Sequence, residues 1–426
     1  QEGIINKNTK FDLNIQNVEG DNFLKNHKLA KTSNLIKDES LLLSNFDLNW
    51  NLSDANLTSS FKVYEDLTRN YHDRYQYIFP DFEYTKYLKI PDNYDGKFLF
   101  NSYGFNKNYD TNVHEAVITN DFLFTSNEKI YNNGIISKFD LLLKNSNSYS
   151  NNSSNFDENS DYNLYGTIKI DNSFPLQKIT KNYKDYLKPV LSLRYSPNNN
   201  SDLSSKDILL DYDSAFNLNR IGSNNEVEGG ESITLGLEYK KDRIYSNANL
   251  IDFKIANVIK FDENSKLPSK SRLNQKRSDL FGNLNYNIND NVKLGYKFSY
   301  DNNLEYSNLE ALDLELSKSN FASTITYYTE DFDIDNKESI KNDISIKLND
   351  ENKLNFNLIK DLQNDYTQSY DINYEYLTDC LSLKLGLNKS FYSDGNLEPS
   401  QSISFLIKII PFTDIGVANI GNIVKK

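Results

Sequence analysis

The chain has 426 residues, with 60 acidic against 47 basic side chains and a formal net charge of −13, and 38% of it is hydrophobic. Its 30 Tyr and 25 Phe are too many for disorder, and the mixture suits a wall with one wet face and one apolar face. The acidic balance argues against nucleic acid, which needs a basic surface; the single cysteine and three scattered histidines argue against a disulfide framework and a metal centre.

The sequence starts at Gln1 and contains no Met, so it reads as an internal or C-terminal piece of a longer precursor, and its start is silent about export. No apolar run approaches the roughly 18 residues of a membrane-spanning helix.

In chain order, Trp50 reads as an interface or core aromatic, and His72, beside Asp73 and Arg74, as a surface polar residue. Asn145 to Asp161, Pro197 to Asp207 and Asp262 to Ser278 are rich in Ser, Asn, Asp and Lys. With little to bury, they are expected to be solvated loops. Glu226-Val-Glu-Gly-Gly-Glu-Ser-Ile-Thr-Leu-Gly236 has the carboxylates of a cation site, but it reads better as a polar turn leading into the strand Ile233, Leu235, Leu237, Tyr239.

The clearest periodicity follows. Leu284, Tyr286 and Ile288 alternate into Asn289-Asp290-Asn291, and Val292, Leu294, Tyr296, Phe298 and Tyr300 alternate out. Ile344, Ile346 and Leu348 enter Asn349-Asp350-Glu351-Asn352, and Leu354, Phe356 and Leu358 leave. Asn and Asp tolerate left-handed backbone and bond their own main chain, so these are hairpin tips. Tyr370, Ile372, Tyr374 and Tyr376, then the leucines of Leu381-Ser-Leu-Lys-Leu-Gly-Leu387, then Ile403, Phe405, Ile407 and Ile409 repeat the pattern. Period-2 alternation sends apolar residues to one face and polar residues to the other.

Short tips alternating with long polar tracts, without a linker, predict an all-β chain: a large antiparallel transmembrane β-barrel. Only a closed sheet satisfies every backbone group in a bilayer, and tyrosines suit the interfacial girdles. Spanning strands of about 9–11 residues give about 20–22 strands here. Residues 1–412 are expected to form one barrel wall and 413–426 a C-terminal tail. No phosphate loop, His-Glu-x-x-His or nucleophile elbow is present, so neither an enzyme nor a cofactor is expected. Cys380 reads either as a small buried hydrophobe or as half of a disulfide to a cysteine outside the chain.

The stretch Tyr374-Glu-Tyr-Leu-Thr-Asp-Cys-Leu-Ser-Leu-Lys-Leu-Gly-Leu-Asn-Lys-Ser-Phe-Tyr392, with Pro399 and Ser402-Ile-Ser-Phe-Leu-Ile-Lys-Ile-Ile-Pro-Phe412, resembles the end of the LptD family, the lipopolysaccharide-assembly barrels of Gram-negative outer membranes. Asp66-Leu-Thr with Asp73-Arg-Tyr-Gln-Tyr-Ile-Phe-Pro80, Leu187-Lys-Pro-Val-Leu-Ser-Leu-Arg-Tyr-Ser-Pro197, and Leu218-Asn-Arg-Ile-Gly222 with Glu228-Gly-Gly-Glu-Ser-Ile-Thr-Leu-Gly-Leu-Glu-Tyr239 are similar to the same family, in its order.

The resemblance implies a fragment of a roughly 26-stranded barrel in the outer membrane, without the family's N-terminal jellyroll and first strands. It implies an LptE-like lipoprotein plug, a periplasmic lipopolysaccharide bridge reached through the missing domain, and lipopolysaccharide as the transported ligand among outer-membrane lipids. Acyl chains would leave through a lateral seam between first and last strands while the sugars cross the lumen. The last strand would carry Ile403, Phe405, Ile407 and Ile409 toward lipid and Ser402, Ser404 and Lys408 toward the lumen or gate, stopped by Pro411. Cys380 would match a cysteine that pairs with the N-terminal domain, although many members have an adjacent cysteine pair here. A wall of charge −13 is expected to need local Lys/Arg clusters or divalent cations to meet an anionic lipid. The rival expectations are a porin-like or other large outer-membrane channel or transporter, which would close on itself and conduct ions, and a surface β-adhesin, which would stay soluble without detergent.

Overall fold

The computed structural model describes residues 2–24, 38, 40–89, 91, 95–156, 158–206, 208–246, 248–332, 335–391, 400–409 and 413–419. The first strands are β1 (Glu2–Asn6), β2 (Thr9–Asn14), β3 (Leu41–Asn51), β4 (Ala55–Asp66), β5 (Tyr75–Leu88), β6 (Gly96–Tyr109), β7 (Val113–Ser126) and β8 (Lys129–Ile130). Then come β9 (Ile136–Asn151), β10 (Asn159–Ser173), β11 (Leu176–Ile179), β12 (Tyr183–Ser196), β13 (Gly230–Arg243), β14 (Asn249–Lys260), β15 (Arg277–Asn289) and β16 (Val292–Tyr300). The last are β17 (Ser307–Lys318), β18 (Phe321–Phe332), β19 (Asp335–Lys347), β20 (Asn352–Asp361), β21 (Tyr366–Leu377), β22 (Leu381–Ser390), β23 (Ser400–Ile409) and β24 (Thr413–Asn419).

All pair antiparallel in one sheet. The short β8 and β11 continue the lines of β7 and β10 along β9 and β12. The wall is thus an unbroken all-β meander. Among the described residues no pairing joins β1 to β24.

Alternation decides which way each residue faces. In β12 and β13, Leu191 and Leu193 lie opposite Leu235 and Ile233 on the outer face, while Ser192 and Arg194 lie opposite Thr234 and Ser232 on the inner face. Leu193 and Leu235 are 41% and 47% exposed, whereas Ser192 and Arg194 are buried. This inverts a soluble sandwich and fits a wall whose apolar side meets lipid. Phenylalanines stack on the outer face of β6 and β7, Phe100 and Phe122 with centroids 4.9 Å apart. Trp50, on β3, stands 40% exposed.

Three expectations need correction. Most of Asn145 to Asp161 is not loop: β9 and β10 continue to Asn151 and from Asn159, paired residue by residue. Their Ser and Asn side chains read as loop only because this part of the wall is polar; Ser146 and Ser150 are buried on its inner side. Thr413–Asn419, part of the segment expected as a tail, forms β24, with Ile415 opposite Ile407. The strand carrying Ile403 to Ile409 is therefore not the last; β23 lies between β22 and β24.

The tips fall on two rims. One carries turns such as 290–291, 319–320 and 348–351; the other carries the long segments 197–229 and 261–276. Those two long segments supply most of the largest buried apolar cluster among the described residues.

Candidate functional site

Pro197 to Asp207 and Asp262 to Ser278 are expected as solvated loops, and much of what is described of them is exposed, but Leu203, Leu267 and Leu273 turn inward. Leu203, Leu210, Tyr212, Ala215 and Ile221 of the first segment and Leu267 and Leu273 of the second form one buried cluster on Ala256, Val258 and Phe281 of the inner wall. Burial of these side chains is the main apolar stabilisation of the segment. A short helix, α1 (Tyr212–Ala215), is capped by Asp211, whose carboxylate accepts from the Ser214 amide at 2.8 Å. Gly236 lets it dock: a Cβ there would lie 2.5 Å from the Phe216 ring.

The two segments also bond each other. The Leu203 amide donates to the Lys266 carbonyl at 2.8 Å, and the Leu210 amide to Ser271 Oγ at 2.7 Å. They form one folded plug inside the wall.

Its anchor is ionic. Arg220 donates Nε and Nη2 to the two Glu228 carboxylate oxygens, both at 2.7 Å, and Nη2 also to Ser232 Oγ at 2.9 Å. Lys260 Nζ lies 3.3 Å from Glu228 Oε1. Arg194 donates Nε to the Leu218 carbonyl at 2.8 Å and Nη2 to the Glu228 carbonyl. Burial alone would push the Glu228 carboxyl up, but Arg220, Arg194 and Lys260 outweigh it and hold it at about 2. Glu228 is fully buried and Arg220 nearly so, and bidentate geometry is what makes such a pair favourable. Gly229 follows because a Cβ would lie 2.1 Å from the Asn198 carbonyl oxygen.

Toward β6 to β9, Lys144 reaches Asp121 at 2.7 Å and donates to the Asn224 carbonyl at 2.9 Å. The Tyr103 hydroxyl donates to that same carbonyl. Lys270 of the second segment pairs with Glu330 of β18 at 2.6 Å. Arg272 approaches Asp279 at 3.4 Å and Asp301 at 3.8 Å. These contacts place positive charge inside an acidic chain.

The Glu226 to Gly236 stretch leads into β13 as its alternation predicts, and its Glu228 carboxylate is taken up by Arg220 and Lys260. The cluster joins two of the segments that carry the family resemblance: Arg194 comes from Leu187–Pro197, and Arg220 and Glu228 from the two runs of the next. Sequence reading missed that convergence. Its one available signal was the presence of Leu203, Leu210, Ile221 and Val227 in tracts too polar to need them.

The other singled-out residues lie elsewhere. Cys380 is exposed in the turn before β22, on the short-tip rim, with Thr378 Oγ1 3.8 Å from its sulfur; the buried-hydrophobe reading does not hold. Ile403, Ser404, Phe405, Ile407 and Ile409 sit in β23 opposite Leu387, Gly386, Leu385, Leu383 and Leu381. Ser402 and Lys408 lie in the same strand, opposite Asn388 and Ser382, with side chains outside the described residues. Pro411 lies outside the described residues. His72 is exposed, in a single 3-10 turn.

Among solved structures, the chain is similar to the siderophore receptor PirA of Pseudomonas aeruginosa at 10% identity and TM-score 0.44, covering 86% of this chain and 71% of that one. PirA of Acinetobacter baumannii gives 8%, 0.41, 86% and 71%. A ferric enterobactin receptor mutant of P. aeruginosa in complex with enterobactin gives 10%, 0.41, 86% and 70%. Likenesses this loose carry neither ligand nor function across. No curated protein matches the sequence. The model of the family LPS transport system D, LptD, matches residues 1–358. With most of its length matched, the chain belongs to the LptD family of outer-membrane β-barrel proteins of lipopolysaccharide transport.

Proposed function

We propose that the chain forms the wall of a translocon that inserts lipopolysaccharide into the outer leaflet through a lateral seam at β24. The supporting observation is the place of β24 in the sheet: it pairs with β23 along one edge, and among the described residues no strand pairs with its other edge. An edge strand has ladder bonds on one side only, so a seam opens there with the fewest bonds broken. The seam expected at Ser402 to Ile409 moves one strand on, and β23 becomes its support. The work is transport, without a covalent step.

The partners follow the family. An LptE-like lipoprotein would seat against the inner face of β19 to β23, whose side chains pair with one another: Lys341 with Asp343 at 2.8 Å and Lys384 with Glu375 at 3.1 Å. Outer-membrane barrels turn their short tips to the periplasm, so Cys380 would face the periplasmic lipopolysaccharide bridge, where an interdomain disulfide is possible.

The test is site-specific photocrosslinking in cells. A photoreactive side chain at Ile415 of β24 is expected to label lipopolysaccharide, and one at Leu314 on the outer face of β17 is not. Equal labelling at both would defeat the seam. For Cys380, a gel-mobility difference without reductant, lost in Cys380→Ser, is expected in the full-length protein.

A further inference from the structure

We infer that the cavity between the inner wall and the tip of the first plug segment is a saccharide site that accepts neutral or aminated sugars and turns phosphorylated ones away. Its biological setting rests on the lipopolysaccharide-transport reading; its chemistry does not.

The cavity measures about 500 Å³, in the range of small-ligand sites. Its floor is the inner face of β5, β6, β7 and β9: Asp81 and Glu83, then Asn101, Tyr103 and Phe105, then Asp121 and Lys144. Its roof is the segment from Asn219 to Asn225. The roof is fixed by Tyr103 and Lys144 on the Asn224 carbonyl and by Thr119 Oγ1 donating to Asn225 Oδ1 at 3.4 Å.

Three features select the ligand. Carboxylates and amides are spaced around the rim, a pairing suited to hydroxyl groups, which both donate and accept. Phe105 and Tyr103 add aromatic surface for the C–H face of a sugar ring. The balance of charge then discriminates. Asp81 is paired with Lys62 at 2.5 Å and Asp121 with Lys144 at 2.7 Å. Glu83 accepts from the Asn101 amide at 3.4 Å and has no cation partner among the described residues. The cavity therefore presents one net negative charge at its exposed edge. A neutral hydroxyl bonds it, an ammonium is attracted, and a phosphate is repelled.

The experiment uses the full chain in detergent micelles, with saturation-transfer NMR titrations of glucose, glucosamine and glucose 6-phosphate. Glucose and glucosamine are expected to bind, and glucose 6-phosphate about tenfold more weakly or worse. Glu83→Lys is expected to reverse that order. Glu83 is exposed, so the swap spares the ladder; heat-modified gel mobility checks the fold. Phe105→Ala provides a second variant and should weaken all three sugars alike. Absence of glucose binding, equal binding of the phosphorylated sugar by the unaltered protein, or ratios unmoved by Glu83→Lys would each overturn the site. The β24 labelling experiment scores the transport reading without any sugar-binding readout, so the two inferences fail separately.

Discussion

The two sides of this barrel wall put the same alternation to different use. Along β12 to β15, inward polar side chains reach into the plug: Arg194 holds the Leu218 carbonyl and Lys260 the Glu228 carboxylate. Along β19 to β23, inward side chains pair within the wall, Lys341 with Asp343 along β19 and Lys384 with Glu375 between β22 and β21. Their settings differ as much as their partners. The Arg220 and Glu228 side chains are 1% and 0% exposed; those of Lys341 and Asp343 are 48% and 44%. Coulomb attraction between buried charges is strong, and removal of one partner leaves the other stranded. Between wet charges it is nearly cancelled by hydration and side-chain entropy. One side is therefore clamped by its own loops, and on the other the paired charges stand in water.

The largest effect should come from the clamp. Glu228→Gln leaves Arg220, Arg194 and Lys260 facing one another without a counter-charge, at a cost of about 3–5 kcal/mol. Cleavage by trypsin after Arg220, which is buried while the plug is seated, should accelerate about 100-fold or more. An unchanged rate would show that the apolar cluster alone seats the plug.

Acid should release the same clamp without mutation. The Glu228 carboxyl is held at about 2 in the folded state, below the ordinary glutamate value of about 4.3. A depressed pKa contributes stability that is complete above the unfolded value and lost as pH falls through the folded one. Amide hydrogen-exchange protection of the plug around Arg220 should therefore be full at neutral pH, decline below about 4 and vanish near 2. Glu228→Gln should lack that step. A smaller effect is expected at the edge of the plug, where Glu330→Ala removes the carboxylate that accepts from Lys270. A hydrogen bond to a charged group is worth about 1.5–3 kcal/mol, so cleavage after Lys270 should rise about tenfold or more while Arg220 stays protected.

The wall was legible because its signal is local. Leu381 to Leu387 and Tyr370 to Tyr376 alternate within one strand, and Asn289-Asp290-Asn291 marks its own turn. The end of the meander was misread because β24 follows Pro411, taken as a stop. The plug was illegible for a different reason. Leu203, Leu210, Ile221, Leu267 and Leu273 follow no period, so nothing in their spacing announces a common core. Arg220 and Glu228 are eight residues apart, but Arg194 and Lys260 reach them through the registers of β12 against β13 and β13 against β14. Register is a property of paired strands, and no single run of sequence carries it.

The smallest effect sharpens the comparison most. Lys384→Ala removes the partner of Glu375 on the inner face of β22, where the lysine side chain is 51% exposed. Glu375 keeps access to water, so the loss should be within about 1 kcal/mol. Trypsin cleavage after Arg220 and Lys270 should not change. If Lys384→Ala were instead as damaging as Glu228→Gln, that face would have to be dehydrated in the working protein, covered by something the wall does not itself supply. Repeating the measurement with and without a co-purified lipoprotein then distinguishes the cases. An effect seen only with the lipoprotein present would place that partner on β19 to β23, and one seen without it would assign the cover to the chain's own loops.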